Sequence, residues 1–584
     1  MLDRNTIYAL ILSVLVISGG FYIQQRLFPS PERAAAAGIV DAGRIEMEPA
    51  VTPMITPSEA TDPLSAITDR AVDFDYYREI FFETEVFDIV FSNRGGTIKS
   101  IRLKEHLDGG EMLEMLNKNT ASLTAFNLYM GDFNAPPLNI YFDSRVFSQG
   151  DSRIVEFTKD VDLPPRMGFG ETTPLTITKR YVFKPFDYLM ELQVQITNRN
   201  NFPIPLNSDG FAYTLGFGPQ IGPTFERLDR LGEFRRFTVL ADGRRRNVRM
   251  PRGRGEVELT ERISWAAISG RYFTLIGIPD ATSYTTVLSN SSVDGFEEGA
   301  RLFFSRPVIG SSNSLDIFRF YIGPKSPEHL RAYNYPDRNG FRMAGLDLDR
   351  ALDSRYMLGW LQDILKALLN IFYGMIPNYG IAIILLTLVI RILLIPLTHK
   401  SYIASTRMAG LSPKMNEIRE KYKHNPQKMN QEMGALYKKS GVNPLGGCLP
   451  LLLQMPIFFA LYGLLSSHFE LRGAGFISPW ITDLSVADSI FNFAPGSVPI
   501  FGSDIRLLPI LMVFSQIFST KLMQAPGAAN NPQMKMMTYM LPLIFLFFLY
   551  DAPSGLLLYW TASNVLGIAQ QVIVNRIMKK KKSA

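Results

Sequence analysis

The chain is poor in the residues that build most chemical sites. It has one cysteine and five histidines in 584 residues. Cys448 has no partner for an internal disulfide, so any part exposed to an oxidising compartment folds without bridges. The histidines, at 106, 329, 399, 424 and 468, are too scattered for a histidine-rich metal site. No Gly-x-x-x-x-Gly-Lys-Ser/Thr, His-Glu-x-x-His or Gly-x-Ser-x-Gly motif occurs, so no nucleotide or hydrolase signature is present. No cofactor and no metal are expected. The 44 glycines follow no period, which excludes a collagen-like chain. Charged residues are only 20% and hydrophobic residues 47%, too much apolar surface for a disordered chain.

What is present is a division. Both ends are very apolar, and the middle of the first half is polar and aromatic. Thr6 to Ile23 carries no charge, which is just long enough to span a bilayer. Gln24, Gln25 and Arg26 follow it, and the small-residue cluster Ala34–Ala37 comes too late for a signal-peptidase site, so residues 1–27 read as an uncleaved anchor. Residues 28–75, rich in Pro and Ala, read as a flexible linker. A second apolar zone runs from near Leu352 to the C-terminus. Its charge-poor runs place spans at 370–398, 441–468, 506–523, 535–551 and 553–576, six in all with the anchor. Residues 577–584 form a basic tail.

Loop charge sets the direction. Segment 399–440 holds Lys400, Arg407, Lys414, Arg419, Lys421, Lys423, Lys428, Lys438 and Lys439 against Glu417, Glu420 and Glu432. Segment 469–505 is acidic, with Glu470, Asp483, Asp488 and Asp504 against Arg472. Segment 524–534 is a short inner loop. Basic loops belong in the cytoplasm, so both termini lie inside and the large domain between the first two spans lies outside.

That outer domain, 76–340, reads as β. Met190, Leu192, Val194 and Ile196 alternate with polar residues, Phe87, Ile89 and Phe91 repeat the same spacing of two, and a turn at Asn93–Gly96 precedes Ile101 and Leu103. Many short strands with turn signals suggest a sandwich. Arg244-Arg245-Arg246 reads as a solvated loop. Segment 350–369 reads as an amphipathic helix on the outer membrane surface, with Met357, Leu361, Ile364, Leu365 and Leu368 on one face and Arg355, Gln362, Asp363 and Lys366 opposite. Segment 399–440 reads as a helical hairpin broken at His424-Asn425-Pro426, a docking surface for ribosome or another partner.

Arg391 is the informative residue. A central arginine costs roughly 2.5–3.5 kcal/mol on insertion scales. No Asp or Glu lies within the charge-free run of any of the six spans, Asp551 standing just past the end of the fifth run, so the arginine's charge is uncompensated. An ion-coupled transporter usually needs an intramembrane carboxylate. Thr387 sits four residues earlier on the same face. Gln454, Asn564 and Gln570 are further polar groups in the spans. These residues alone leave open a polysaccharide or lipid transporter with a sugar-binding outer domain, or an assembly scaffold.

Three stretches carry a resemblance. Asn443–Phe458 (NPLGGCLPLLLQMPIF), Thr387–Thr398 (TLVIRILLIPLT) and Pro553–Asn564 (PSGLLLYWTASN) closely resemble the YidC membrane protein insertases, of the YidC/Oxa/Albino family, over residues 350–576. The anchor and large outer domain resemble the Gram-negative form. The resemblance implies a polytopic α-helical membrane protein with a large extracytoplasmic β-sandwich domain. It implies an insertase and chaperone of the bacterial inner membrane, not an enzyme, acting alone or with the Sec translocon. Its partners would be nascent membrane proteins, the ribosome and the lipid bilayer, with no small-molecule substrate, and its five-helix core would be monomeric. That core would hold a hydrophilic groove open to cytoplasm and lipid but closed outside. The family's groove arginine and threonine fall on Arg391 and Thr387. Its aromatic pair falls on Tyr559 and Trp560, where Trp stands at a position commonly Tyr. Its apolar sliding surface falls on Met455 and Phe458.

Overall fold

The computed structural model describes residues 76–583 except 109, 117–123, 164–171, 219, 224, 226–232, 252–254, 292–298, 353–357, 442–448, 493–503 and 524–531. The expected anchor and linker, 1–75, lie outside the described residues, as do Cys448 and most of the 524–534 loop.

The first half is a strand-rich domain of three antiparallel sheets. The nine-stranded sheet runs edge to edge through Arg244–Val248, Arg236–Ala241, Ile263–Ser269, Phe273–Ile278, Asn313–Pro324, Leu189–Asn198, Thr173–Phe183, Ser152–Leu163 and Asp143–Gln149. A five-stranded sheet (Glu256–Leu259, Thr285–Ser289, Arg301–Pro307, Phe211–Phe217, Asn127–Tyr129) and a four-stranded one (Glu79–Glu83, Phe87–Ser92, Thr97–Asp108, Glu111–Glu114) contact it through aromatic rings. Phe304 stacks on Phe318 at 5.8 Å, and Phe91 meets Tyr181 edge-on at 5.0 Å. The period-two pattern explains this. Met190, Leu192, Val194 and Ile196 are buried while their polar neighbours are half-exposed. Arg244–Arg246 is not a loop. It pairs with Leu240 and its neighbours as an edge strand, where long charged side chains still reach water and discourage a further strand.

Helices follow: α1 (Pro327–Ala332), α2 (Gly359–Met375), α3 (Tyr379–Gly410), α4 (Ser412–Lys421), α5 (Pro426–Ser440), α6 (Leu449–Ser467), α7 (Leu507–Met523), α8 (Pro532–Leu549) and α9 (Ser554–Ser583). Among the described residues, two helical windows are long and apolar enough to cross a membrane, Tyr379–Pro396 and Ser554–Ile573. The apolar windows Gln454–Leu465, Leu507–Leu522 and Thr538–Leu549 are shorter.

Three boundaries differ from the sequence reading. Helix α3 runs through the expected end of the span at 398 and stops at Gly410, because Pro413 cannot donate to the carbonyl four residues back. The first hairpin arm is therefore split at Leu411. Helix α9 continues through the basic tail to Ser583. The amphipathic helix starts at Gly359 and runs to Met375, with two apolar stripes. Leu365 and Leu369 are buried against the helical core, while Trp360, Ile364, Ile371 and Met375 face outward. Ile364, expected with Leu365, belongs to the outward stripe.

The segment after α6 ties the parts together. Phe469 enters the aromatic core of the strand-rich domain, 4.9 Å from Phe273 and 5.4 Å from Tyr272. Arg472 pairs with Asp108 at 3.0 Å. Asp488 Oδ2 accepts from the Leu507 and Leu508 amides at 2.8 and 3.0 Å, capping α7 from a distance. The Ser554 and Gly555 amides at the start of α9 donate to Val486 and Leu484 carbonyls. Arg506 bridges to Asp551 at 2.5 Å and donates to the Tyr550 carbonyl. Polar contacts thus tie the loop and helix ends together at one end of the bundle.

Candidate functional site

Helix α3 is capped by Asn378, whose Oδ1 accepts from the Ile381 amide at 3.0 Å. From there the 3.6-residue period places Ile383, Thr387 and Arg391 on one face. Ile383 and Thr387 are fully buried. The Thr387 hydroxyl donates to the Ile383 carbonyl at 2.6 Å, so it satisfies itself within its own helix and does not reach the arginine.

Arg391 turns toward α9. Its Nε donates to Ser563 Oγ at 3.0 Å. Gln454 of α6 donates to the same oxygen at 3.1 Å. Gly567, one turn beyond Ser563, lies directly under the guanidinium. A Cβ there would sit 3.2 Å from Nη1 and 3.3 Å from Cζ and Nη2. Tyr559, one turn before Ser563 on the same stripe of α9, is buried. The cluster is therefore one arginine from α3, one amide from α6, and the 559/563/567 stripe of α9. No carboxylate occurs in α3 or in α6 to α9.

Trp560 is one residue from Tyr559, so it projects about 100° away. It is buried, its Nε1 donates to Gln516 of α7 at 3.1 Å, and its ring meets Phe458 at 4.9 Å and Phe545 at 5.1 Å. One turn on, Asn564 donates to Ser515 Oγ at 3.0 Å. The structure thus separates the aromatic pair. Tyr559 belongs to the arginine cluster, and Trp560 and Phe458 belong to an aromatic seam among α6, α8 and α9. Met455 is half-buried on α6 next to Gln454. Ser563, Gly567 and Gln516 are absent from the sequence reading. The signal was available, because Ser563 and Gly567 follow Tyr559 at intervals of four. Among the described residues no group of three or more His, Cys, Asp or Glu is arranged to hold a metal ion.

Comparison with known proteins fits these features. The family description "60Kd inner membrane protein" matches residues 371–582, and "YidC periplasmic domain" matches residues 79–370. The membrane protein insertase YidC of Treponema denticola is 38% identical over 99% of this chain and 100% of its own length. The chain belongs to the YidC family of membrane protein insertases. The YidC insertase of Treponema pallidum is 35% identical over all of both chains, and that of Prosthecochloris aestuarii 29% identical over 98% of this chain and 95% of its own. The YidC family is an inner-membrane family, and both its helical part and its strand-rich part are present here.

Proposed function

We propose that this chain inserts nascent membrane proteins by offering them a wet, positively charged slot among α3, α6 and α9, with Arg391 as its attracting group. The observation that carries the reading is the partner set of Arg391. A guanidinium sits among helices that hold no carboxylate, and among the described residues a neutral serine is its one hydrogen-bonded contact. Such a charge is costly in hydrocarbon and is retained where it faces water or a transient anion.

In this reading the anchor within 1–27 and the spans at 370–398, 441–468, 506–523, 535–551 and 553–576 make six crossings, with both termini in the cytoplasm. The β-sandwich domain, 76–340, lies in the periplasm. The stitching around Asp488, Arg506 and Ser554 supports closure of the outer end, so the slot opens to cytoplasm and lipid. A substrate's acidic outer tail enters the slot and pairs with Arg391, which shortens the dry path it must cross. Its apolar segment slides along Met455 and Phe458 and leaves into lipid, driven by its own burial. Tyr559 lines the charged part of the route, and Trp560 braces its wall. Thr387 packs the arginine's helix. The basic hairpin, 399–440, receives the ribosome, and the Sec translocon is a further partner.

A hydrogen bond to a charged group contributes about 1.5–3 kcal/mol, or roughly tenfold to a hundredfold in an equilibrium. The test uses purified full-length protein in nucleotide-free liposomes and a small membrane protein with a short acidic outer tail. Protease protection of that tail should exceed the protein-free control and fall about tenfold in Arg391→Ala. Equal protection by variant and parent would remove Arg391 from the mechanism.

A further inference from the structure

We infer that Ser563 and Gly567 are positioning residues that turn the Arg391 guanidinium so that its Nη1–Nη2 end, and not its Nε side, meets an incoming carboxylate. The inference rests on the reading of Arg391 given above and specifies how that residue recognises its substrate.

A guanidinium has two kinds of edge that match a carboxylate with paired hydrogen bonds, the Nε–Nη side and the Nη1–Nη2 end. Here the side edge is occupied, because Nε donates to Ser563 Oγ at 3.0 Å. That oxygen also takes the Gln454 amide at 3.1 Å. Two donors fill the two acceptor positions of a hydroxyl, so Ser563 is fixed as an acceptor and Nε is fixed with it. Among the described residues neither Nη atom has a hydrogen-bond or ion-pair partner, and neither is sealed from solvent.

Gly567 sets the plane. A Cβ at 567 would be almost equidistant from Nη1, Cζ and Nη2, at 3.2, 3.3 and 3.3 Å. A point in the guanidinium plane beyond its end would lie clearly farther from Cζ than from the two nitrogens. Near-equal distances therefore place Gly567 over the face of the group. The flat cation rests on bare backbone and keeps its end edge open. Alanine at 567 would push that plane by a few tenths of an ångström, without weakening the helix, since alanine is the better helix former. Lysine at 391 could supply charge but not the fork.

The experiment measures insertion of two substrates that differ only in one outer-tail residue, Asp or Asn, by full-length protein in liposomes. The readout is the Asp-to-Asn ratio of protected tail. The parent should favour Asp. Ser563→Ala should lower the ratio about fivefold to tenfold by freeing Nε, while Ser563→Thr, which keeps the hydroxyl, should retain it. Gly567→Ala should lower it by a smaller factor. Arg391→Lys should lose most of the preference, and Ser563→Ala added to Arg391→Ala should change nothing further. An unchanged ratio in Ser563→Ala beside a collapsed ratio in Arg391→Ala overturns the positioning role and leaves the arginine's role standing. Equal loss of both substrates in Ser563→Ala makes the serine merely structural and also overturns it. An unchanged ratio in Arg391→Ala sinks the underlying reading, and the positioning role falls with it.

Discussion

The strand-rich domain and the helical core treat buried charge in opposite ways. In the first, Asp316 is 2% exposed and accepts from Arg306 at 2.8 Å, Tyr213 at 2.7 Å and Ser314 at 3.1 Å. Glu156 lies between Arg145 and Arg180, both at 2.5 Å. Lys179, wholly buried, donates to the carbonyls of Gly95, Gly96 and Phe126 at 3.0, 2.6 and 2.7 Å. In the helical core Arg391 has, among the described residues, one acceptor, and it is neutral. A charge whose job is structural is saturated with partners, because an unpaired buried charge costs several kcal/mol. A charge with bonding capacity to spare is available to something that comes and goes.

The contrast can be broken by mutation. Asp316→Ala strands Arg306 and Tyr213, and should cost the strand-rich domain about 3–5 kcal/mol. Arg391→Leu should change thermal stability by less than about 1 kcal/mol, or raise it, because it removes an unpaired charge. Thermal unfolding of the full protein in detergent, read on the β signal and on the helical signal, compares the two directly. Equal losses would erase the distinction.

Lys179 sharpens it, since among the described residues it too has no counter-ion. Its three carbonyl acceptors should nonetheless make it structural. Lys179→Met leaves those carbonyls bare, at a cost of about 2–3 kcal/mol. The same unfolding measurement checks it, and a neutral result would place Lys179 with Arg391.

The smallest effect is expected where the two regions meet. Burial pulls the Glu470 carboxyl upward, but the hydrogen bond and charge of His468, 2.7 Å away, hold it down at about 2, against an ordinary value of 4.5. A carboxyl lowered by folding stabilises above its unfolded value and loses that contribution as pH falls toward its folded one. Hydrogen exchange at residues 468–472 should therefore quicken modestly between pH 4.5 and 2, after correction for intrinsic rates. Glu470→Gln should remove the dependence, and a profile that matches the parent would reject it.

Legibility in the sequence followed the strength of each period. Strands with strict alternation, such as Leu189–Asn198, could be read directly, because burial of one face leaves a pattern of two. Arg244–Arg246 could not, since an edge strand needs no apolar face. Helix α2 misled by one residue because it carries two apolar stripes, and a single-stripe reading gave Ile364 to the wrong one. Arg391 was legible from its cost and its missing counter-ion. Its partners were not, because a serine and a glycine in an apolar helix have no visible charge or bulk. Only the approach of α9 to α3 gives them meaning. Thr387 was read as a neighbour of the arginine from its spacing of four, yet its hydroxyl bonds back to Ile383, as threonines in apolar helices often do.

The measurement that bears most directly on the central claim is a charge swap. Full-length parent and Arg391→Glu would be reconstituted in liposomes and offered substrates whose outer tails carry either Asp or Lys. If the guanidinium recognises the tail by its charge, the parent will favour Asp and the variant will favour Lys. A preference for Asp that survives the swap would show that tail selection lies elsewhere and that Arg391 serves only the packing of its helix.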